Sequence, residues 1–188
     1  MKLKTTLLLI SILLISSMAI HAQTPANKTI ETILAAYSTR TFTTEPVTDG
    51  EIEQILKCGI KAPSGRNNQP WKFTVVKDLS KVKDLFRSID EGNVVIVISG
   101  VESNPGVDFD CALATENMFI AAYSLGLGAR IYTGPVHNIN AEQVKLLEIP
   151  KGYKVVALLR IGKMDSKTDA VSSASPRNDM KDMVNYVK

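Results

Sequence analysis

The chain has 188 residues and a formal net charge of +3 at neutral pH. Its charges are scattered rather than gathered into a basic stripe, which argues against nucleic acid or an anionic membrane as a partner. Two cysteines without a CxxC pair and two histidines leave little for dithiol redox chemistry or a histidine-rich zinc site.

Lys2 and Lys4 precede an apolar run, Leu7–Ile15, broken only by Ser11, and small residues then lead to Ala22. That order reads as a secretory signal peptide cleaved after Ala22. The run is shorter than the ~20 residues a membrane span needs. An uncleaved N-terminal anchor is the rival reading. The chain is therefore expected to be exported, to the periplasm, with residues 1–22 removed and residues 23–188 forming one domain.

Ile30, Ile33, Leu34 and Tyr37 fall on one face of a predicted helix over 29–37. Ser38-Thr39-Arg40-Thr41-Phe42 follows. Thr48 and Glu51 have capping-box spacing and open a second helix, which carries Ile52, Ile55, Leu56 and Ile60 before Pro63 stops it. The loop Ala62–Trp71 holds two prolines, Gly65, Asn67, Asn68, Gln69 and the single tryptophan. Such a loop can offer planar amides to a flat polar ligand. Read on composition alone it is more simply a plain helix-to-strand connection with Trp71 as core filler.

A strand is predicted over 72–77 and a short helix over 80–86, with Val82, Leu85 and Phe86 facing inward. Residues 94–99 are continuously apolar and β-branched, the mark of a strand buried on both faces. The longest helix runs over 108–125 and stops at Gly126. It is apolar around most of its surface, so it belongs at the centre of the core or in a dimer interface. A short strand over 129–132, a helix opened by Asn140 and Gln143, and a buried strand over 154–161 complete the pattern. Met180, Met183 and Val184 have helical spacing in a polar tail and should dock on something. This mixture predicts an α+β or α/β layer around a central mixed sheet.

Cys58 and Cys111 lie on predicted helices and read as two buried thiols rather than a disulfide, although export would permit a bridge. His137 reads as a surface residue. There is no GxSxG elbow and no Walker loop, and Gly126-Leu127-Gly128 follows a helix and lacks a third glycine.

Three stretches in this order, Ser38–Phe42, Ala62–Trp71 with Phe73, and Asp110–Gly128, resemble the FMN-dependent nitroreductase family. The strand at Lys154 and Arg177 in the tail extend the likeness over the whole chain after Ala22. The Ala-Pro-Ser-x-x-Asn-x-Gln-Pro-Trp segment is its most specific part. The resemblance implies an α+β fold, a central mixed sheet flanked by helices, and an intertwined homodimer with two FMN molecules at the subunit interface. Ser38 and Arg40 would meet the FMN phosphate and ring, and an arginine fork with a hydroxyl suits a phosphate dianion. Pro63, Ser64, Gly65 and Asn67 match the segment that packs on the partner's flavin. Thr133 and Gly134 fall where the family offers a backbone N–H to the flavin N5. Arg177 falls where a C-terminal basic residue closes on the phosphate, and Arg87 is a weaker match to a ring-contacting lysine.

The chain departs from the family at Ala36 (usually arginine), at Thr133 (often glutamate) and at Ser175 (usually basic). The implied reaction is ping-pong hydride transfer from NAD(P)H through FMN to a nitroaromatic, quinone or similar oxidant, with no catalytic side chain and no metal. Export conflicts with a nicotinamide donor. Two further readings therefore stand: an exported flavin-binding or redox-partner protein with little turnover of its own, and a dimer scaffold without flavin.

Overall fold

The structure is a computed structural model that describes residues 27–140, 144–165 and 176–187. The predicted signal peptide, Ser175 and the middle of the predicted helix after Asn140 lie outside the described residues. The chain divides into two compact units after Glu31. The described residues of the first, 27–31, open helix α1 (Lys28–Ala35). Asn27 caps it, its side-chain oxygen accepting from the amides of Thr29 at 3.1 Å and Ile30 at 3.2 Å.

The second unit holds helices α2 (Asp49–Ile60) and α3 (Val107–Ser124) and four strands. These are β1 (Trp71–Val76), β2 (Val94–Val101), β3 (Leu127–Tyr132) and β4 (Tyr153–Lys163), in the sheet order β1-β2-β4-β3. The capping box predicted for α2 forms: the Glu51 amide donates to the Thr48 hydroxyl at 3.3 Å, and the Thr48 amide donates to the Glu51 carboxylate at 2.8 Å. Glu51 also pairs with Lys163 at 2.6 Å, so the cap ties α2 to the end of β4.

The α+β class is as expected. The expected mixed sheet is antiparallel at every pairing among the described residues. β2 and β3 both oppose β4 and so run the same way, with β4 inserted between them and α3 as their crossover. β2 is buried on both faces, as its apolar run predicts. Val94, Ile96 and Ile98 pack with α2 and α3, while Val95 and Val97 pack with Val82, Phe86, Ile139 and Leu147. Gly126 ends the α3 region at φ +77°, a backbone that a side chain would strain.

Several elements differ from expectation. Residues 80–86 form two 3-10 turns, Leu79–Lys81 and Lys83–Leu85, rather than one helix. Val82 between them has φ −130°, which breaks helical continuity while burying its side chain. Among the described residues, the Asn140 side chain pairs with β4. Its amide donates to the Val155 carbonyl at 3.0 Å and its oxygen accepts from the Val155 amide at 2.8 Å. That mimics a strand partner beyond the point where β3 ends.

Cys58, expected to be buried, is exposed, and so is Ile60. α2 buries Ile52, Ile55 and Gly59, and a residue beside Gly59 is turned about 100° away from that face. Met180, Met183 and Val184, expected to dock, are exposed. Both cysteines are free thiols. Among the described residues, no helix is long and apolar enough to cross a membrane.

Burial, aided by Asp108 and Asp110, pushes the Cys111 thiol from its ordinary 9.0 up to about 12. The unfolded chain therefore ionises this thiol first. The resulting stability is intact below pH 9 and is lost as pH rises towards about 12. In a thiol-labelling experiment at neutral pH, Cys58 should react in the native protein and Cys111 only after unfolding, with or without prior reduction. Labelling of both in the folded state would contradict this arrangement.

Candidate functional site

Ser38 and Arg40 sit on a segment laid against β3 and β4. The Thr39 amide donates to the Ala129 carbonyl at 3.0 Å, and the Thr43 amide to the Lys163 carbonyl at 2.9 Å. Phe42 bridges to Met164. Gly128 and Gly162 are direct cross-strand partners beneath this segment. A Cβ on Gly128 would stand 2.6 Å from Thr39 Cγ2, and one on Gly162 would stand 2.7 Å from Phe42 Cδ1. The bare pair is thus a trough into which Thr39 and Phe42 drop. Both are buried, while Ser38 is half-buried and Arg40 is exposed. The middle residue of Ser-x-Arg anchors the segment, and the guanidinium of Arg40 remains within reach of a ligand. Anchoring leaves the Thr39 hydroxyl buried without a hydrogen-bond partner.

At the far end of β3, Thr133 and Gly134 are exposed, and a Cβ on Gly134 would meet nothing within 4 Å. Thr133 lies four positions beyond Ala129, or about 13 Å along the strand direction. One edge of the sheet therefore offers a cation and a hydroxyl at one end and open backbone at the other. An elongated ligand, anionic at one end and planar at the other, suits that donor set.

The loop after α2 is held in an unusual backbone. Arg66, Asn67 and Gln69 have φ of 53°, 56° and 45°, three left-handed non-glycine residues within four positions. Such conformations persist only where surrounding contacts impose them. The Ser64 carbonyl accepts from the Asn67 amide at 3.0 Å, and its hydroxyl accepts from the Gln69 amide at 2.9 Å. The Gly65 amide donates to Asp110 Oδ1 at 3.0 Å. Asp110 lies in the first turn of α3 and is 4% exposed. Arg66, Asn68, Pro105, Phe109 and Asp110 line a groove of about 440 Å³ there, with Phe109 70% exposed at its rim. Sequence reasoning missed Asp110 as the anchor of this loop. Its only signal was an acidic residue in the first turn of a predicted helix.

The predicted site residues thus fall into separate groups. Ser38, Arg40, Thr133 and Gly134 lie along β3. Pro63, Ser64, Gly65 and Asn67 lie before β1, the opposite edge strand, three strand spacings or roughly 14 Å away. Arg177 is on the exposed C-terminal tail, where its Nη1 donates to the Pro176 carbonyl at 3.3 Å. Arg87 is exposed beyond Phe86.

The nitroreductase family model matches residues 33–93 and 85–163. The chain belongs to the nitroreductase family. It is 31% identical over 167 residues to the NADPH-flavin oxidoreductase of Vibrio harveyi, covering 76% of this chain and 68% of that protein. The FMN-dependent nitroreductase of Clostridium difficile shares 27% identity with a TM-score of 0.67, covering 86% of this chain and 99% of its own. The nitroreductase with bound FMN from Bacteroides fragilis has the same fold, with a TM-score of 0.74 at 22% identity, over 87% of this chain and all of that one.

In this nitroreductase-family chain one carboxylate ties the strained loop to α3. Asp110→Ala is expected to lower stability by about 1–3 kcal/mol by leaving the Gly65 amide unpaired. Urea unfolding gives that value, and hydrogen exchange at Gly65 should quicken. Unchanged exchange would show that Asp110 does not hold the loop.

Proposed function

We propose that the chain is an FMN-dependent oxidoreductase of the nitroreductase type, acting as a homodimer whose two sites each draw on both copies. One observation carries this reading. The Ser38–Arg40 segment and the Pro63–Asn67 loop lie at opposite edges of one sheet, so a single chain presents two half-sites rather than one whole site. The flavin chemistry of the relatives supports FMN as the cofactor, and the donor set along β3 fits it. Ser38 and Arg40 meet the phosphate, the backbone at Thr133–Gly134 faces the ring, and the loop amides come from the second copy. Arg177 closes on the phosphate from the tail.

When bound, FMN supplies the two-electron chemistry that links a reduced nicotinamide to a nitroaromatic, quinone or similar acceptor. The chain's own residues bind, orient and screen from water. A charge-assisted fork at Arg40 fixes the anionic end, and the imposed left-handed backbone at Asn67 presents its side-chain amide. The dimer is supported by apolar side chains that one chain leaves in water. Leu34 is 80% and Val187 is 99% exposed, with Ile33, Met180 and Met183 more than half exposed.

The chain is a short, exported member of its family. Residues 1–22 direct it to the periplasm and are removed, a reading supported by their basic, apolar and small-residue order. Mass spectrometry of the periplasmic protein should find Gln23 at its N-terminus, and a chain still beginning at Met1 would overturn this. Ala36, in place of an arginine, favours the second reading, a flavin-binding redox partner with little turnover. NADH should bleach the loaded protein; bleaching by dithionite alone would select the second reading.

Arg40→Ala and Asn67→Ala should each weaken FMN binding by about tenfold to a hundredfold, the worth of one charge-assisted or buried hydrogen bond. A mixed dimer of the two variants keeps one intact site of two. Flavin titration should then show half the sites at wild-type affinity. A mixed dimer that binds no better than its parents would place the whole site in one chain.

A further inference from the structure

We propose that Arg160 is a positioning residue, holding the Ser38–Arg40 segment in the shape that receives the phosphate end of FMN. The proposal rests on the flavin reading above. Arg160 lies on β4 and is 3% exposed. Its Nε donates to Asn93 Oδ1 at 2.7 Å, its Nη1 to the Ser88 carbonyl at 2.8 Å, and its Nη2 to Asp90 Oδ2 at 2.7 Å. Its guanidinium carbon stands 4.3 Å from the centroid of the Phe42 ring. Asn93, itself buried, passes its side-chain amide to the Thr43 carbonyl at 3.4 Å. One guanidinium therefore grips the segment at two successive residues, through the Phe42 ring and, by way of Asn93, through Thr43.

Stability alone does not call for this residue. Its ion-pair partner Asp90 is 42% exposed, so the pair adds little, while burying the guanidinium costs solvation that apolar side chains of the same volume would not lose. The neighbours Leu158, Leu159 and Ile161 show that the strand accepts them. Arg130 is also the direct cross-strand partner of Arg160, and like charges so placed repel. A leucine at this position would avoid both penalties. It would not offer a flat cation to Phe42 and a fork to Asn93 at fixed geometry.

The surroundings are shaped to that contact. Gly162 is two residues further along β4, on the same face. A Cβ there would stand 2.7 Å from both Phe42 Cδ1 and Asn93 Nδ2. The missing side chain lets ring and amide converge beside Arg160. Phe42 is two residues from Arg40, so a shift in the ring passes directly to the group that meets the ligand. Misplacement of about 1 Å is enough to lose much of a well-oriented contact.

The test compares FMN with riboflavin, which has the same ring and no phosphate, by fluorescence titration of the apoprotein. Wild-type protein should prefer FMN. Arg160→Met and Phe42→Leu should each cut that preference by about tenfold while changing riboflavin affinity by less than about twofold, and Arg160→Lys should recover part of it. In an Arg40→Ala background, Arg160→Met should have no further effect on the preference. Thermal unfolding identifies any variant that fails to fold, and Phe42→Leu keeps the buried polar network should Arg160→Met do so. Folded variants with an unchanged preference would overturn the proposal alone. Wild-type protein that binds neither flavin would overturn the flavin reading and this proposal with it.

Discussion

A pair of glycines facing each other across β3 and β4 decides where the Ser38–Arg40 segment can lie. Gly128 and Gly162 are in register, and each removes a side chain from the same face of the sheet. Thr39 and Phe42 fill the space, so the extended chain between α1 and α2 is pinned flat before and after Arg40. A methyl at either glycine would push the segment off the sheet and carry the guanidinium with it. The buried arginine next to the trough then fixes what the glycines permit. Vacancy and grip together turn an otherwise irregular stretch into a defined platform.

The loop at the opposite edge of the sheet, the proposed second half-site, is built by the opposite means. There the backbone itself is forced into left-handed conformations at three residues, and a buried carboxylate at the start of α3 holds it. α3 is thus more than the crossover between β2 and β3. Its first turn organises the loop, while its body fills the core against α2 and the sheet. Packing and site geometry are the same structure read at two ends of one helix.

Much of this was legible in the sequence. The capping box at Thr48 and Glu51, the doubly buried strand at Val94 and the stop at Gly126 are local patterns, and local physics governs them. The grouping of Ser38 with Arg40 was visible because the motif is contiguous. What was not legible depends on partners distant in sequence. The trough needs the register of β3 against β4, and Asp110 matters because of a loop 45 residues away. Cys58 looked like a buried helix residue, yet lies one position from the buried face, and helical phase cannot be read that finely from a two-turn apolar pattern. Arg160 lies inside an apolar run with no local pattern to name its partners, since Ser88, Asp90 and Asn93 are joined to it only by the fold.

The two edges of the sheet and the exposed apolar side chains bear on each other. On the proposed reading a chain with two half-sites is useless alone, and one that leaves Leu34, Met180 and Val187 in water is costly alone. The proposed twofold dimer would answer both conditions with one contact. It would cover the apolar residues of each copy and bring the loop of one copy to the β3 edge of the other. Twofold symmetry then makes the two sites equivalent without further specification in the sequence. Ligand affinity and assembly are coupled in such a design, because the residues that complete a site arrive only with the partner. Weak phosphate binding caused by Ala36 would accordingly be offset by contacts that depend on the dimer, and flavin would in turn stabilise the dimer by mass action.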